Sequence, residues 1–495
     1  MSGAEARKAC IAMTLRRIGF AALVLAGLGT QSAAASAAET DRVVARWIQL
    51  GPGSTAEALA AGSYGDAPAS TTPTILARAI TTAETCPRLA IDGSPLAMSI
   101  RFKPDEPVEG PLPPVGNFAV TMCEAVVPPG HQEATIGGLP LKLPVAHPKR
   151  ILVMADTGCR MNGPRGGDGS NQQDCHSPVA FPLRFLATYE ALFRPDLVVH
   201  VGDYFYRDTD CMNAFPGCND PASPRFEPWG DNWTSWNADL FSPANVLLAA
   251  APWVMVRGNH ESCNRGAQGW YRLLDPRPYP NADKSPFTCS KGSPYDFSPT
   301  YVVPVADVNL LIHDSSFASD TAVDAATAAV YDGDLTRLLN TIPGATDIFV
   351  SHKPSFGLIY KSVDNAGDAT EQALFSGGTS PTSAFKKGVP GNIGLFLSGH
   401  IHQFQFVNFS NYTYYAPQLI VGVGGSLLDD DLLTGVVPNG IVNQPAFNDV
   451  NYGFVVHTIE GSTTTANVMR SYSHDEFGFA VLDAVDECVG QDDRL

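Results

Sequence analysis

Five short polar clusters carry side chains that could do chemistry: Asp156-Thr157-Gly158, Gly202-Asp203-Tyr204-Phe205-Tyr206, Gly258-Asn259-His260-Glu261, Ser351-His352 and Gly399-His400-Ile401-His402. Their Asp, Asn, Tyr and His residues are oxygen and nitrogen donors, the types that hold metal ions. Asp156, Asp203, Tyr206, Asn259, His352, His400 and His402 make seven donors. One transition metal takes only about four to six ligands, water included. If one carboxylate bridges, each of two ions receives four protein donors. Two ions about 3.5–4 Å apart are the arrangement that clamps the attacking and leaving oxygens of a phosphoryl displacement.

The segments before these clusters explain how they could meet. Continuous apolar runs at Ile151–Ala155, Leu197–Val201, Trp253–Val256, Ile348–Val350 and Leu395–Leu397 each end in one of them, and Leu310–Ile312 is a further run. Runs apolar on both faces suit buried strands of a covered sheet. Phe181–Leu192 and Ala325–Leu339 have amphipathic helical patterning. The alternation predicts an α/β layered domain over residues 149–495, with ligands beyond the carboxyl ends of its strands. Residues 38–148 differ. Val43–Leu50, Thr74–Thr82, Leu96–Phe102, Phe118–Val127 and Ala134–Leu143 read as strands separated by Gly/Pro turns. They predict a small all-β sandwich of fibronectin III-like type, joined to the rest by the proline-rich step Leu143–Pro148.

Composition narrows the function classes. Of 495 residues 44% are hydrophobic and 17% charged, which excludes an intrinsically disordered chain. The formal charge of −18 argues against nucleic acid, whose phosphates need a clustered basic face. Arg16 and Arg17, the apolar run Ile18–Leu28 and Ala35-Ser36-Ala37 form a cleavable export signal over residues 1–37. The chain is expected to be secreted or periplasmic, with no membrane span. Neighbouring cysteines in loops predict disulfides Cys159–Cys175, Cys211–Cys218 and Cys263–Cys289. The mature chain holds an odd number, so Cys488 is expected to stay unpaired or to pair between chains.

The ordered set Asp-x-Gly, Gly-Asp-x-x-Tyr, Gly-Asn-His-Glu, His and Gly-His-x-His, running from Ile151 to His402, resembles the purple acid phosphatases of the calcineurin-like metallophosphoesterase superfamily. The branch is selected by Gly158 together with Tyr206, where most relatives carry a histidine ligand and no tyrosine. One departure is Phe349, where the family's Val-x-x-His motif has valine. The resemblance implies a four-layer α/β/β/α fold. It implies that Asp156, Tyr206 and His402 hold Fe(III), that Asn259, His352 and His400 hold Zn, Mn or Fe(II), and that Asp203 bridges. Phenolate is a hard anionic donor matched to Fe(III). His260 resembles the family's phosphate-contacting histidine and would protonate the leaving alkoxide, as an ordinary histidine titrating near ~6.5 would in acid. The implied activity is hydrolysis of phosphate monoesters, on small molecules or phosphoproteins, by metal-bound hydroxide.

Other conspicuous residues have plainer readings. His200 and His313 lie in apolar strands and read as hydrogen-bonded core histidines. Glu261 orients a ligand or caps a turn. Gly422-Val423-Gly424-Gly425 reads as a tight turn near the site, and Asp429–Asp431 as a solvated acidic run. Arg160, Arg165 and His176 follow Asp156 in a glycine-rich loop and are candidate substrate contacts, since arginine grips phosphate well. Two alternatives stand beside the monoesterase. One is a phosphodiesterase or nucleotidase, for which Trp229, Trp233 and Trp236 are candidate base-stacking residues. The other is a non-catalytic binding protein, which the intact donor set argues against.

Overall fold

The computed structural model describes residues 42–53, 73–104, 118–161, 172–211, 215–279, 297–306, 308–320, 322–340, 346–355, 368–407, 416–429, 445–449, 451–459, 467–475 and 478–479. The export signal, Cys289, Cys488 and Arg165 lie outside them.

Two large mixed sheets face each other. In the first, parallel strands Arg150–Met154, Leu197–His200, Pro252–Met255 and Val43–Gly53 are neighbours, flanked by antiparallel strands on both sides. In the second, parallel strands Val308–His313, Thr346–Ser351, Ile393–Ser398 and Gln418–Val421 form the centre. Side-chain alternation sorts the layers. Ile151, Val153, Val199 and Val254 meet Leu310, Ile312, Val350, Leu397 and Leu419 in one core between the sheets. Leu152, Met154, Val198 and Met255 face the other way, onto Leu183, Leu186, Leu247 and Leu248 of helices Leu183–Leu192 and Asn245–Ala250. On the far side, Leu311, Phe349 and Phe396 pack under Tyr331, Leu335, Leu374 and Phe375. Three cores between four layers make the expected α/β/β/α architecture. Phe349 fits it: its ring lies 5.3 Å from Phe396 and 5.5 Å from Phe375, in the outer core.

The region before residue 148 is all β, as its patterning requires, and is built into the first sheet. Val43–Gly53 pairs in parallel with Pro252–Met255, and Pro73–Thr81, Thr121–Val126 and Ser99–Phe102 continue the same sheet to its edge. The remaining strands, Leu89–Ile91, Ser94–Leu96, Ala134–Ile136 and Leu139–Leu141, form a small antiparallel sheet of their own. Residue 148 thus marks a change of pattern along the chain and no break between sheets. Cys159–Cys175 and Cys211–Cys218 form as expected, Cys263 is also disulfide-bonded, and Cys86 pairs with Cys123.

A charged knot fastens the N-terminal strands to the segment after the Asn259 cluster. Glu124 Oε2 lies 2.9 Å from Arg78 Nη2 and 3.0 Å from Arg101 Nη1. The same arginines donate to the carbonyls of Tyr271, Arg272, Leu274 and Asp275, the end of a helical segment where cations are favoured. Burial, then Arg101, pushes Arg78 down to about 10 while Glu124 holds it up. Glu124→Ala would leave two adjacent buried cations without their counter-charge. Breaking such a pair costs about 3–5 kcal/mol, so the apparent unfolding midpoint should drop sharply. An unchanged midpoint would show the knot to be dispensable.

Candidate dimetal centre

All seven expected donors come to the carboxyl ends of the strands, and the two sheets contribute different chemistry. Asp156, Asp203, Tyr206 and Asn259 follow strands of the first sheet; His352, His400 and His402 follow strands of the second. Asp156, Asp203 and His400 have φ of 56°, 57° and 70°. That left-handed conformation is costly for residues with a Cβ and collects at functional sites. Here it turns the chain sharply off each strand, so the side chain points back across the sheet end.

The donors fall into two groups sharing Asp203. The Tyr206 phenol oxygen lies 2.7 Å from Asp156 Oδ1, 2.7 Å from His402 Nε2 and 3.0 Å from Asp203 Oδ2. On the other side, His352 Nε2 lies 3.1 Å from Asp203 Oδ2 and 3.0 Å from Asn259 Oδ1. Ligand atoms of Asp203, His352 and His400 are all within 4.8 Å of one another. One hydroxyl proton cannot satisfy three neighbours around Tyr206. Donors held at about 2.1 Å from one cation, at right angles, would lie about 3 Å apart, which is the spacing found. The donor set therefore fits two ions.

Electrostatics agree. Burial disfavours ionisation of Asp203 and Asp156, yet nearby histidines outweigh it and hold both below the usual carboxylate range. Burial should depress His352, but Asp203 and Asp156 override it and push His352 up to about 9. The site thus demands positive charge, which protons or metal cations can supply. Burial, then Asp156 and Asp203, pushes the Tyr206 phenol well above its ordinary value, so it ionises there only against a strong cation. His260 lies beside these donors, its ring centroid 3.9 Å from that of Tyr206 and its Nδ1 3.6 Å from Asp208 Oδ2. Burial, reinforced by Arg265, holds His260 well below the histidine range, with Asp203 opposing. The ordinary titration assumed for it from sequence does not apply.

Two carboxylates outside the donor set hold the loops. Glu261 accepts from the backbone N–H groups of Asp203, Tyr204, Phe205 and Gly258, so it orients Asp203. Asp239 accepts from Tyr206 N and Cys159 N and pairs with Arg207, tying the first two clusters together. Sequence reasoning missed Asp239. Its only signal is an acid inside the apolar stretch Trp236–Phe241. Also missed were Asp208 and Arg265, paired at 3.2 Å beside His260.

The secondary candidates divide. Arg160 is near enough for its charge to act on Tyr206, Asp208, His260 and His402. His176 instead turns to Glu227, 3.1 Å away, with its side chain 42% exposed. His200 and His313 are core histidines bonded to Thr157 and Thr300. The glycine turn lies against the site, with Gly424 N donating to Ala155 O. Asp429 is not merely solvated: it accepts from His402 N. Trp236 is stacked on Phe205 in the core, whereas Trp233, which packs on Phe241, and Trp229 are half-buried.

The family follows from the chain itself. Residues 149–404 match the model of the calcineurin-like phosphoesterases. The chain belongs to that family, whose activity is phosphoester hydrolysis and whose membership implies a dinuclear metal centre. Among solved structures it is similar to a purple acid phosphatase from yellow lupin (Lupinus luteus) seeds, at 14% identity over 84% of this chain and 70% of that one, TM-score 0.47. It is also similar to PhoD, at 10% identity over 88% and 91%, TM-score 0.47. A dimetal phosphatase from Danio rerio is 13% identical over 65% and 95%, TM-score 0.34. No curated protein matches.

Gly158 explains why Tyr206 can stand where it does. A Cβ on Gly158 would lie 2.9 Å from the Tyr206 ring, 2.9 Å from Asp239 Oδ2 and 2.8 Å from Tyr204 O. Asp239 Oδ2 is held by a backbone hydrogen bond and Tyr204 O is itself backbone, so the ring must move. Gly158→Ala should keep the fold by circular dichroism and lose most metal from the Asp156–Tyr206–His402 group, measured as metal per chain after dialysis. Full metal content would show that the ring accommodates the methyl group.

Proposed function

We propose that the protein is an exported acid phosphatase of the purple type, hydrolysing phosphate monoesters of small molecules or phosphoproteins. The observation that carries this reading is the Tyr206 phenol among Asp156, His402 and Asp203, made possible by Gly158. Asp156, Tyr206 and His402 would hold Fe(III). Asn259, His352 and His400 would hold Zn, Mn or Fe(II), and Asp203 would bridge. Once bound, two such cations neutralise phosphoryl oxygens and acidify the attacking water, the trivalent one extending this to acid pH. His260 would contact the phosphoryl group and, once the negative charge of the substrate offsets the burial and the Arg265 charge that keep it neutral, would hand a proton to the leaving oxygen; Asp208 Oδ2 lies 3.6 Å from its Nδ1. Arg160 adds positive charge at the same mouth.

Export is supported by the N-terminal signal and by the disulfides, which belong to oxidising compartments. No described helix is long and apolar enough to cross a membrane. The phosphodiesterase or nucleotidase alternative loses Trp236, which is buried against Phe205, as a base-stacking residue, and keeps the half-buried Trp229 and Trp233 as candidates.

The branch is tested by colour and metal content. Phenolate donation to Fe(III) should make concentrated wild-type protein purple. Tyr206→Phe keeps the ring volume and should be colourless and folded. Active, colourless wild-type protein with two divalent ions and no iron would sink the Fe(III) assignment and leave the phosphoesterase intact.

His260→Ala should keep both metals and slow hydrolysis of alkyl phosphates by roughly 10²–10⁴-fold, the usual worth of a general acid. Aryl phosphates, whose leaving groups need less protonation, should lose less. Equal losses on both would assign His260 to phosphate binding alone.

A further inference from the structure

The three histidines of the centre are held in different ways. His352 turns Nδ1 to the carbonyl of Val201 at 2.9 Å, and His402 turns Nδ1 to the carbonyl of Leu427. Each thereby presents Nε2 to the other donors. His400 is reversed. Its Nε2 faces a carboxylate, Asp320 Oδ2, at 3.3 Å, which leaves Nδ1 for the centre.

Asp320 belongs to none of the motif clusters. It lies in the segment after strand Val308–His313, and one lysine fixes it. Lys353 Nζ is 3.1 Å from Asp320 Oδ1 and 3.2 Å from Oδ2, and it donates to the Ala318 carbonyl at 2.6 Å. Lys353 directly follows His352, and its backbone N–H donates to Ser315 Oγ at 2.9 Å. One residue therefore joins the chain bearing His352 to the carboxylate that holds His400.

We propose that Asp320 is a positioning residue for the divalent-ion half of the centre, fixing His400 with Nδ1 as its ligand atom, and that Lys353 fixes Asp320. The inference rests on the dimetal reading above. A neutral imidazole has one N–H. A carboxylate at Nε2 captures that proton, leaves the Nδ1 lone pair for the cation and makes it more basic. A backbone carbonyl could set the tautomer; only the carboxylate adds charge. His400 sits at the exposed rim, its side chain 19% accessible against none for His352, so it has least packing to hold its ring and most need of a partner. Asp320, a third exposed, can be replaced without opening the core.

The test is a zinc titration of the chelator-stripped full chain against a competing chromophoric chelator. Asp320→Ala should weaken one of the two zinc equivalents by about 10–100-fold, the usual effect of losing such a partner, and leave the other unchanged. Asp320→Asn, which keeps an acceptor but not the charge, should fall between Asp320→Ala and wild type. Lys353→Met should weaken the same equivalent. The unfolding midpoint of the stripped protein should be the same for wild type and both Asp320 variants; if Asp320→Ala does not fold, Asp320→Asn decides. Wild type binding two ions with Asp320→Ala binding both equally well would overturn the inference alone. Wild type binding fewer than two ions would overturn the dimetal reading and the inference with it.

Discussion

Burying two carboxylates around one phenol sets up a local excess of negative charge, and the surrounding structure serves to keep that excess in place. Isolated ions of one sign are expensive in a low-dielectric interior, and Asp156 and Asp203 are almost fully buried. The chain does not relax the cost by pointing either carboxylate outward. Glu261 grips the backbone of Asp203, Asp239 grips the backbone of Tyr206, and left-handed residues bend the strand ends inward. The nearest positive charge comes from imidazoles, one of them pushed up to about 9. Such an arrangement is stable in its ground state only with cations of some kind present.

The division of donors between sheets gives that charge a structural consequence. The oxygen donors come from the first sheet and the imidazoles from the second, while an apolar core of valines, leucines and isoleucines fills the space below. An ion held by donors of both groups would tie one sheet to the other across the open end of the sandwich. Binding energy at the centre would thereby be coupled to the register of the two sheets.

What could be read in the sequence and what could not separate along a physical line. Each expected donor lies within a few residues of an apolar strand, so type, spacing and order single out the seven residues that the fold brings together. The layers were legible for the same reason, because buried strands announce themselves locally. Asp239 and Asp320 were not legible. Each acts through a partner 33 to 80 residues away, Tyr206 or Cys159 for one and Lys353 or His400 for the other, and neither neighbourhood has a motif. The Cys86–Cys123 bond, with a separation of 37, escaped because only close neighbours in sequence suggest pairing. The N-terminal strands were recognised as strands, but their parallel pairing with Pro252–Met255 depends on residues far along the chain. His176 went to Glu227 for an equally non-local reason.

The position of Val43–Gly53 bears on how this chain can be made and cut. The first of the described strands is an interior strand, and its parallel neighbour arrives only when residue 252 has emerged. Until then its apolar face and one row of N–H and C=O groups stay open, a template for pairing with another chain. Were the chain exported unfolded, that interval would fall beyond the membrane, where a holding chaperone has its clearest use. A fragment beginning near residue 149 would carry every donor, and it would also bare Pro252–Met255, with Trp253 and Val254, as a raw edge. The motif-bearing part is thus separable on paper only; the strands ahead of it are the seal on its sheet.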